Sequence, residues 1–220
     1  MARSGYPQRV SIRVIVPHRG LARAKTRLAS VLSPDERHEL ACGLLHHVLR
    51  CAATAVEGRG EVHVISPDPA LAAIVKTAGA SLEVQHGMGL NDGLDQARRQ
   101  AMAEGLQLIV VLHGDLPWLT PEDVSALAEG AAASPSIAIA PDRAGTGTNG
   151  LALRPPDAIP FRFGRGSFAA HSEEADRTGI PRDVVWRHGL AFDLDTPTDL
   201  ARWLDEGGSL DTFRTEAAPA

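Results

Sequence analysis

The feature that most constrains the fold is an uninterrupted apolar run that ends abruptly in polar residues. Residues 108–112 read LIVVL, and HGD follows directly at 113–115. A short run with no polar alternation is typical of a strand that is buried on both faces of a sheet, because helices then cover both faces. The run therefore predicts an α/β sheet and leaves Asp115 at the end of a buried strand.

The rest of the chain alternates strand and helix patterns around this run. Three helix starts are expected where a hydroxyl residue precedes proline, at Ser33, Thr120 and Thr196. At the first of them, Glu36 completes a capping box with Ser33. Strands are expected at residues 10–17, 61–68, 81–85, 106–117, 136–142, 150–155 and 190–197. Such alternation predicts a mainly parallel, doubly wound sheet with helices on both faces.

One domain over residues 1–205 fits this pattern, and a polar, small-residue-rich tail over residues 206–220 is expected to be loosely held. Cys42 and Cys51 lie in one predicted helix on opposite faces, so we expect no disulfide between them. The chain has no long apolar run and no apolar segment of the signal-peptide kind at residues 1–10. We therefore expect no membrane segment and a cytoplasmic location.

The net charge of the chain limits the kinds of ligand that it is expected to bind. The formal net charge is −5, and acidic and basic residues are intermingled along the chain. Broad affinity for nucleic acid is therefore not expected. An anionic ligand would have to be held by a local cluster of basic side chains and backbone N–H groups.

Three carboxylates are expected at the carboxyl edge of the sheet, where ligands bind in such folds. Asp115 ends its strand, and Asp193 and Asp195 lie two residues apart and so face the same side of an extended segment. Carboxylates that converge in this way suit a hard cation such as Mg²⁺. The alternative is structural: Asp115 would cap a turn and Asp195 the helix that follows it.

The basic segment HRGLARAKTRLAS follows the first strand, where nucleotide-binding α/β folds place a phosphate loop. It offers four cationic side chains, namely Arg19, Arg23, Lys25 and Arg27. The segment lacks the glycines and the final Lys-Ser/Thr pair of a Walker A motif. A solvated basic loop is the alternative.

Two glycine-bearing loops are candidates for binding an anion. The first reads DRAGTGTNG at residues 142–150 and the second FGRGSF at 163–168, just before a predicted helix. Glycine lets the backbone approach an oxyanion, and a helix N-terminus favours one. A pair of tight turns is the alternative. The nine histidines show no spacing typical of a transition-metal site, although His113 is expected near bound phosphates.

Seven motifs in this order resemble the phospholactate/phosphoenolpyruvate guanylyltransferase family of coenzyme F420 biosynthesis. They are AKTRL, VISPD, GLNDGL, GDLPWL, APDRAGTGTNGLALRPP, FGRGSFAAH and DLDTPTDL. The resemblance spans about residues 10–204, and the APDR-to-GTGTN segment followed by FGRGSF is its most specific part. It implies a single-domain, Rossmann-like nucleotidyltransferase (GT-A-like) fold.

The resemblance also implies the reaction: a GTP-dependent guanylyltransferase moves GMP from GTP onto the phosphate of a three-carbon phospho-acid and releases pyrophosphate. Residues carried over from the family as catalytic or triphosphate-facing are Lys25, Arg27 and Asp115, and those for Mg²⁺ are Asp115, Asp193 and Asp195. Nucleotide-binding positions are Pro17, Lys25, Ser66, Asp68, Gly89 and Asn91, and phospho-acid positions are Thr148, Gly164 and Ser167. A homodimer is also expected.

Two alternatives remain open from the residues. Another metal-dependent nucleotidyltransferase or glycosyltransferase would share the carboxylates but act on a sugar. A non-catalytic nucleotide-binding module would not need the two glycine-bearing loops. The acceptor also remains open among phosphoenolpyruvate, 2-phospho-L-lactate and 3-phosphoglycerate.

Overall fold

The computed structural model describes residues 11–212, with the side chain of Arg23 left aside. Seven strands form one sheet in the order β3-β2-β1-β4-β6-β5-β7. They are β1 Ile12–Pro17, β2 Gly60–Ser66, β3 Ser81–Val84, β4 Leu108–Leu112, β5 Ser136–Pro141, β6 Thr148–Arg154 and β7 Arg182–Val184.

Residues 11–212 also form seven α-helices, of which the first five connect strands and the last two follow β7. They are α1 Pro34–Ala55, α2 Ala72–Thr77, α3 Leu90–Ala103, α4 Pro121–Gly130, α5 Ser167–Thr178, α6 His188–Ala191 and α7 Pro197–Asp205. Capping boxes begin three of them, at Ser33, Thr120 and Thr196, each followed by proline. The three helix starts expected from the sequence are therefore confirmed.

The sheet is mainly parallel, as predicted. β1 pairs in parallel with β2 and β4, and β2 pairs in parallel with β3. β6 is the antiparallel strand, because it pairs in that sense with both β4 and β5. The carboxyl ends of β1, β2 and β4 consequently lie along one edge, together with the amino end of β6.

Helices cover both faces of the sheet. One apolar cluster joins the sheet to α1, α2 and α4, through residues such as Leu45, Val75 and Leu127. A second cluster joins the opposite face to α3 and α5. All five residues of β4 are buried, which confirms the prediction from the LIVVL run.

The strand expected at residues 190–197 was wrong. Residues 188–191 form the short helix α6, and the extended segment after it pairs with no strand of the sheet among residues 11–212. Phe192 and Leu194 are nevertheless buried, in a third apolar cluster with α1 and α7. The alternating pattern is thus satisfied by packing against helices, while β7, which the sequence pattern did not predict, pairs with β5.

Other expectations concern the chain as a whole. Cys42 and Cys51 form no disulfide, as predicted, and both are buried. Within residues 11–212 no helix is both long and apolar enough to cross a membrane. In the expected tail, Leu210 packs against the third apolar cluster, and residues 213–220 lie outside the described residues.

Candidate active site

The three carboxylates predicted from two parts of the sequence do meet at the carboxyl edge of the sheet. Asp115 follows β4 by three residues, and the segment after α6 carries Asp193 and Asp195. The backbone N–H of Leu194 donates to the carbonyl of Asp115 at 3.1 Å, which fixes the two segments side by side. This bond brings carboxylates nearly eighty residues apart in sequence to one place.

Lys25 lies between two of these carboxylates. Its Nζ is 2.7 Å from Asp115 Oδ2 and 3.3 Å from Asp195 Oδ1, and its side chain is almost fully buried. Burial disfavours the charged ammonium, but the attraction of Asp115 and Asp195 outweighs this effect and raises the pKa of Lys25. Lys25 therefore stays a cation although its own side chain is almost fully buried.

The backbone at Lys25 is itself unusual. With φ of 53°, Lys25 is the one non-glycine residue with positive φ among the described residues. Such a conformation is disfavoured for a side chain with a β-carbon, and residues held in it cluster at functional sites. Two short 3₁₀ turns, Leu21–Arg23 and Thr26–Leu28, flank Lys25 and hold it there.

Asp115 and Asp193 have opposite electrostatic environments. Burial would raise the pKa of Asp115, but Lys25 and His113 together outweigh it and hold the pKa below its usual range. Burial and the nearby charge of Asp115 raise the pKa of Asp193. Asn149 Nδ2 donates to Asp193 Oδ1 at 3.4 Å, so Asp193 is oriented by an amide and not by a cation.

Asp115 keeps one oxygen for a further ligand. Its Oδ1 is buried and accepts no hydrogen bond from the described residues, which is costly for a carboxylate unless something else satisfies it. With Asp193 close by, the donor set is two carboxylates at a sheet edge, and it fits a hard cation such as Mg²⁺.

The third predicted metal ligand, Asp195, is engaged by cationic side chains. Its Oδ1 lies against Lys25, and its Oδ2 accepts from Arg27 Nη1 at 3.0 Å. Over residues 11–212 no group of three or more His, Cys, Asp or Glu side chains is arranged to hold a metal ion. The structure thus brings Asp115 and Asp193 together, whereas Asp195 forms ion pairs with Lys25 and Arg27.

Ser66 and Asp68, predicted to lie near the guanosine, shape the first loop. The Ser66 hydroxyl accepts from the Asp68 N–H at 3.1 Å. Asp68 accepts from the backbone N–H of Leu21 at 3.1 Å through Oδ2 and from Ala70 at 3.0 Å through Oδ1. Both carboxylate oxygens of Asp68 therefore accept hydrogen bonds from backbone N–H groups. These bonds connect the loop after β1, which ends at Pro17, to the end of β2.

The glycine loop before α3 is held in a similar way. Gln85 Nε2 donates to the carbonyls of Gly87 and Gly89, at 2.9 and 2.8 Å. Asn91 Nδ2 donates to the Phe163 carbonyl at 3.1 Å, while Asn91 Oδ1 accepts from the Phe163 N–H at 3.0 Å. Asn91 thus fastens the expected nucleotide side to the residue before Gly164.

The two glycine-bearing loops, predicted separately, lie against each other. The Phe168 N–H donates to the Thr146 carbonyl at 3.2 Å. Thr148 and Ser167 are each only 2% exposed, below an exposed turn at Gly164 and Gly166. All three proposed phospho-acid residues, Thr148, Gly164 and Ser167, therefore belong to one local structure.

The N-terminus of α5 differs from those of α1, α4 and α7. Its N-cap, Gly166, is left-handed with φ of 73°, and no side chain caps the helix. The N–H groups of Ser167 and Phe168 already donate to the Gly164 and Thr146 carbonyls, at 3.2 Å each, so the helix dipole is what favours an anion here. This end of α5 therefore suits a phosphate or carboxylate.

Two histidines were not singled out by sequence reasoning. His18 Nδ1 accepts from the Gly20 N–H at 3.0 Å, and burial lowers the pKa of His18 to about 4. His171 on α5 is fully buried and contacts Thr148. The position of His18 beside the basic loop was a usable signal, whereas nothing in the helical pattern distinguished His171.

Comparison with known proteins gives a consistent result. The family model described as "Guanylyl transferase CofC like" matches residues 12–212. A phosphoenolpyruvate guanylyltransferase from Rubrobacter xylanophilus is 45% identical over 90% of this chain and 96% of its own length. A protein of the same name from Sphaerobacter thermophilus is 45% identical over 84% of this chain and 89% of its own length.

A solved structure supports the fold independently of close sequence similarity. A nucleotidyl transferase from Methanothermobacter aligns with a TM-score of 0.67 at 18% identity, covering 93% of this chain and 99% of that one. Sequence identity this low supports the fold alone. The nucleotidyltransferase fold expected from the sequence is confirmed.

Proposed function

We propose, from the premise that the chain belongs to the CofC-like guanylyl transferase family, that it transfers GMP from GTP to the phosphate of a three-carbon phospho-acid and releases pyrophosphate. Phosphoenolpyruvate is the proposed acceptor, because the similar proteins from Rubrobacter and Sphaerobacter carry that substrate in their names. The product would be a diphosphate-linked guanosine intermediate for coenzyme F420.

The observation that carries this proposal is the state of the Asp115 carboxylate. One oxygen accepts from the Lys25 ammonium at 2.7 Å, and the other is buried and has no hydrogen-bond donor within residues 11–212. A carboxylate with one open oxygen, beside Asp193, suits a divalent cation, and that cation together with the Lys25 ammonium would neutralise a polyphosphate.

The chemistry requires little from an acid or a base. The attacking phosphate oxygen of the acceptor is already anionic near neutral pH, so no strong general base is needed. The work of the protein is to position two anions and to offset their charge. An in-line displacement at the α-phosphate then leads directly to product.

Lys25 and Arg27 are proposed to offset charge on the β- and γ-phosphates. An ammonium has three N–H donors, and Asp115 and Asp195 take two of those of Lys25. The third remains for a phosphate oxygen. Arg27 has a side chain that is 72% exposed, so its pairing with Asp195 is a weak surface contact that a triphosphate can replace.

Asp115 and Asp193 are the residues that would hold Mg²⁺. When bound, the ion would polarise the α-phosphate and neutralise the leaving pyrophosphate. The raised pKa of Asp193 is consistent with this role, since a cation would relieve the repulsion between the two carboxylates. The acceptor would lie opposite, on Thr148, Gly164 and Ser167.

The test is a pyrophosphate-release assay with purified protein, Mg²⁺, GTP and each of three acceptors in turn: phosphoenolpyruvate, 2-phospho-L-lactate and 3-phosphoglycerate. We expect turnover with phosphoenolpyruvate, and GTP to be preferred over ATP. Equal rates with ATP would remove the guanine assignment. No turnover with any of the three acids would refute the proposed reaction.

A further inference from the structure

The phospho-acid side of the site contains a buried histidine, His171. His171 belongs to α5, one helical turn after Ser167, and is fully buried. Its ring meets the ring of Phe163 edge-on, with centroids 4.9 Å apart. His171 therefore lies behind the proposed binding residues, without facing the solvent through which substrates enter.

The hydrogen bonds of His171 determine which of its nitrogens carries the proton. Its Nε2 lies 2.9 Å from the backbone N of Arg162. A backbone N–H can only donate, so Nε2 must be the unprotonated acceptor. Burial lowers the pKa of His171 to about 4, so the ring is neutral near pH 7 and Nδ1 carries its one proton.

This tautomer has a consequence for Thr148. His171 Nδ1 lies 3.1 Å from Thr148 Oγ1, in a buried contact. Because Nδ1 carries the proton, the Thr148 hydroxyl cannot donate to the ring, which also has a hydrogen bond with the backbone of Ser167. The hydroxyl proton of Thr148 is left to donate elsewhere, which is what an anionic phospho-acid requires of it.

We propose that His171 is a positioning residue that turns the Thr148 hydroxyl into a hydrogen-bond donor toward the phospho-acid. The inference rests on the proposed function for the identity of the acceptor. The contact with Arg162 adds a second constraint, since Asn91 holds the next residue, Phe163, by its backbone. His171 thus aligns Thr148 with the chain that enters the turn at Gly164.

A purely structural histidine would predict a different pattern of effects. If His171 only fills space, its replacement lowers stability and affects GTP and acceptor use alike. If it orients Thr148, its loss raises the KM for the acceptor selectively. Two residues that act through one hydroxyl are also non-additive when both are changed.

The first measurement requires no activity. Long-range ¹H–¹⁵N spectra of histidine-labelled protein at pH 7.5 report which ring nitrogen is protonated, and the spectrum of His171→Asn assigns the signal. The expected result is a protonated Nδ1 and a bare Nε2. A protonated Nε2, or a charged ring, would overturn the inference even in an active enzyme.

The second measurement is steady-state kinetics with GTP and phosphoenolpyruvate for His171→Phe, Thr148→Val and the double variant. We expect each single change to raise the acceptor KM about tenfold, as for a lost hydrogen bond to a charged group, and to change the GTP KM less than twofold. The double variant should match Thr148→Val. Additive effects, or equal changes in both KM values, would overturn the inference.

Two further variants guard against a folding defect. His171→Asn keeps an amide N–H near the position of Nδ1 and should restore most of the acceptor affinity. A rise of its acceptor KM to the Thr148→Val level would count against the inference. His63→Phe replaces another buried histidine, one that lies beside Glu61 on β2, and should leave the acceptor KM unchanged. If the wild-type protein turns over none of the three acids, the proposed function fails, while the spectra still decide the tautomer of His171.

Discussion

The two sides of the candidate site manage negative charge in opposite ways. The carboxylate edge, consisting of Lys25, Arg27, Asp115, Asp193 and Asp195, uses formal charges held in contact. The acceptor clamp, consisting of residues 146–148, 164–167 and His171, uses hydroxyls, backbone and a neutral ring. The edge is suited to charge that changes during a reaction, and the clamp to charge that only has to be held.

The comparison also explains where the local structure departs from ordinary preferences. On the edge, a non-glycine residue, Lys25, has positive φ. On the clamp, Gly166 takes the left-handed conformation without cost from a β-carbon. At position 25 the lysine ammonium pairs with Asp115 and Asp195, so a side chain is required there despite the strained backbone. At position 166 only the backbone conformation matters, so glycine suffices.

The largest expected effect is on the edge. Asp115→Asn removes a charge next to Lys25 and leaves the strand end otherwise unchanged, so turnover should fall by about 10²-fold or more. The measurement is kcat in the pyrophosphate-release assay, with circular dichroism as the control for folding. A variant that keeps more than about a tenth of the wild-type rate would remove Asp115 from the reaction centre.

The next effect is on the clamp and has a matched control within the same helix. A β-carbon at Gly166 would meet no protein atom within 4 Å, but φ of 73° makes it strained. Gly179 at the other end of α5 has φ of 67° and equally open space. Gly166→Val and Gly179→Val should therefore lower stability alike, by about 1–2 kcal/mol.

Only the change at Gly166 should affect the acceptor. It lies at the uncapped end of α5, so we expect its acceptor KM to rise by more than the tenfold predicted for a single lost hydrogen bond. Gly179→Val should keep the wild-type value. Equal acceptor KM values in the two variants would show that the turn at residues 164–166 is only a turn.

Ser167→Ala tests the hydroxyl itself with little change in backbone. We expect the acceptor KM to rise about ten- to a hundredfold, since a hydrogen bond to a charged group is worth about 1.5–3 kcal/mol. The GTP KM should stay within twofold. Ser172→Ala, a change later in the same helix, is the control, and a similar effect from both would argue against a specific role for Ser167.

The smallest expected effect is on thermal stability, and it has opposite signs for substitutions at Asp115 and at Asp193. The pKa of Asp115 is lowered, so its carboxylate stabilises the fold above its unfolded pKa, and this contribution is lost as pH falls through the lowered value. The pKa of Asp193 is raised, so its charge costs stability at neutral pH. In EDTA at pH 7.5, Asp115→Asn should lower the melting temperature and Asp193→Asn should raise it.

Each of these shifts should be at least about 2 °C, which about 1 kcal/mol produces in a domain of this size. Turnover should fall in both variants, so activity and stability would separate at Asp193. Differential scanning fluorimetry at pH 7.5 in EDTA provides the measurement. Shifts of the same sign in the two variants would contradict the different environments assigned to these carboxylates.

Much of the fold was predictable because the signals were local. The apolar run of β4 and the capping boxes at Ser33, Thr120 and Thr196 each depend on a few neighbouring residues. The segment after α6 was misassigned because period-2 burial fits both a strand and a chain packed on helices. The segment shows that alternation reports burial and does not by itself report pairing.

The site was predicted less completely, because its key contacts are long-range. Asp193 was expected near Asp115 at the end of a strand, but residues 190–197 form no strand, and the Leu194 N–H bond to the Asp115 carbonyl brings the two carboxylates together. The placement of Lys25 between Asp115 and Asp195 depends on a strained backbone. Asn91 holding Phe163 has no local signal either, because the two residues meet only after α3 and the 163–168 turn have packed together. Such long-range contacts could not be predicted from local sequence patterns and are seen only in the folded structure.

The most direct test of the division between edge and clamp is equilibrium binding of phosphoenolpyruvate, by calorimetry, with Mg²⁺ and a non-hydrolysable GTP analogue present. The account predicts that inactive Asp115→Asn binds the acceptor within about threefold of wild type, while Ser167→Ala binds it at least about tenfold more weakly. Loss of acceptor binding in Asp115→Asn, with normal binding in Ser167→Ala, would contradict it.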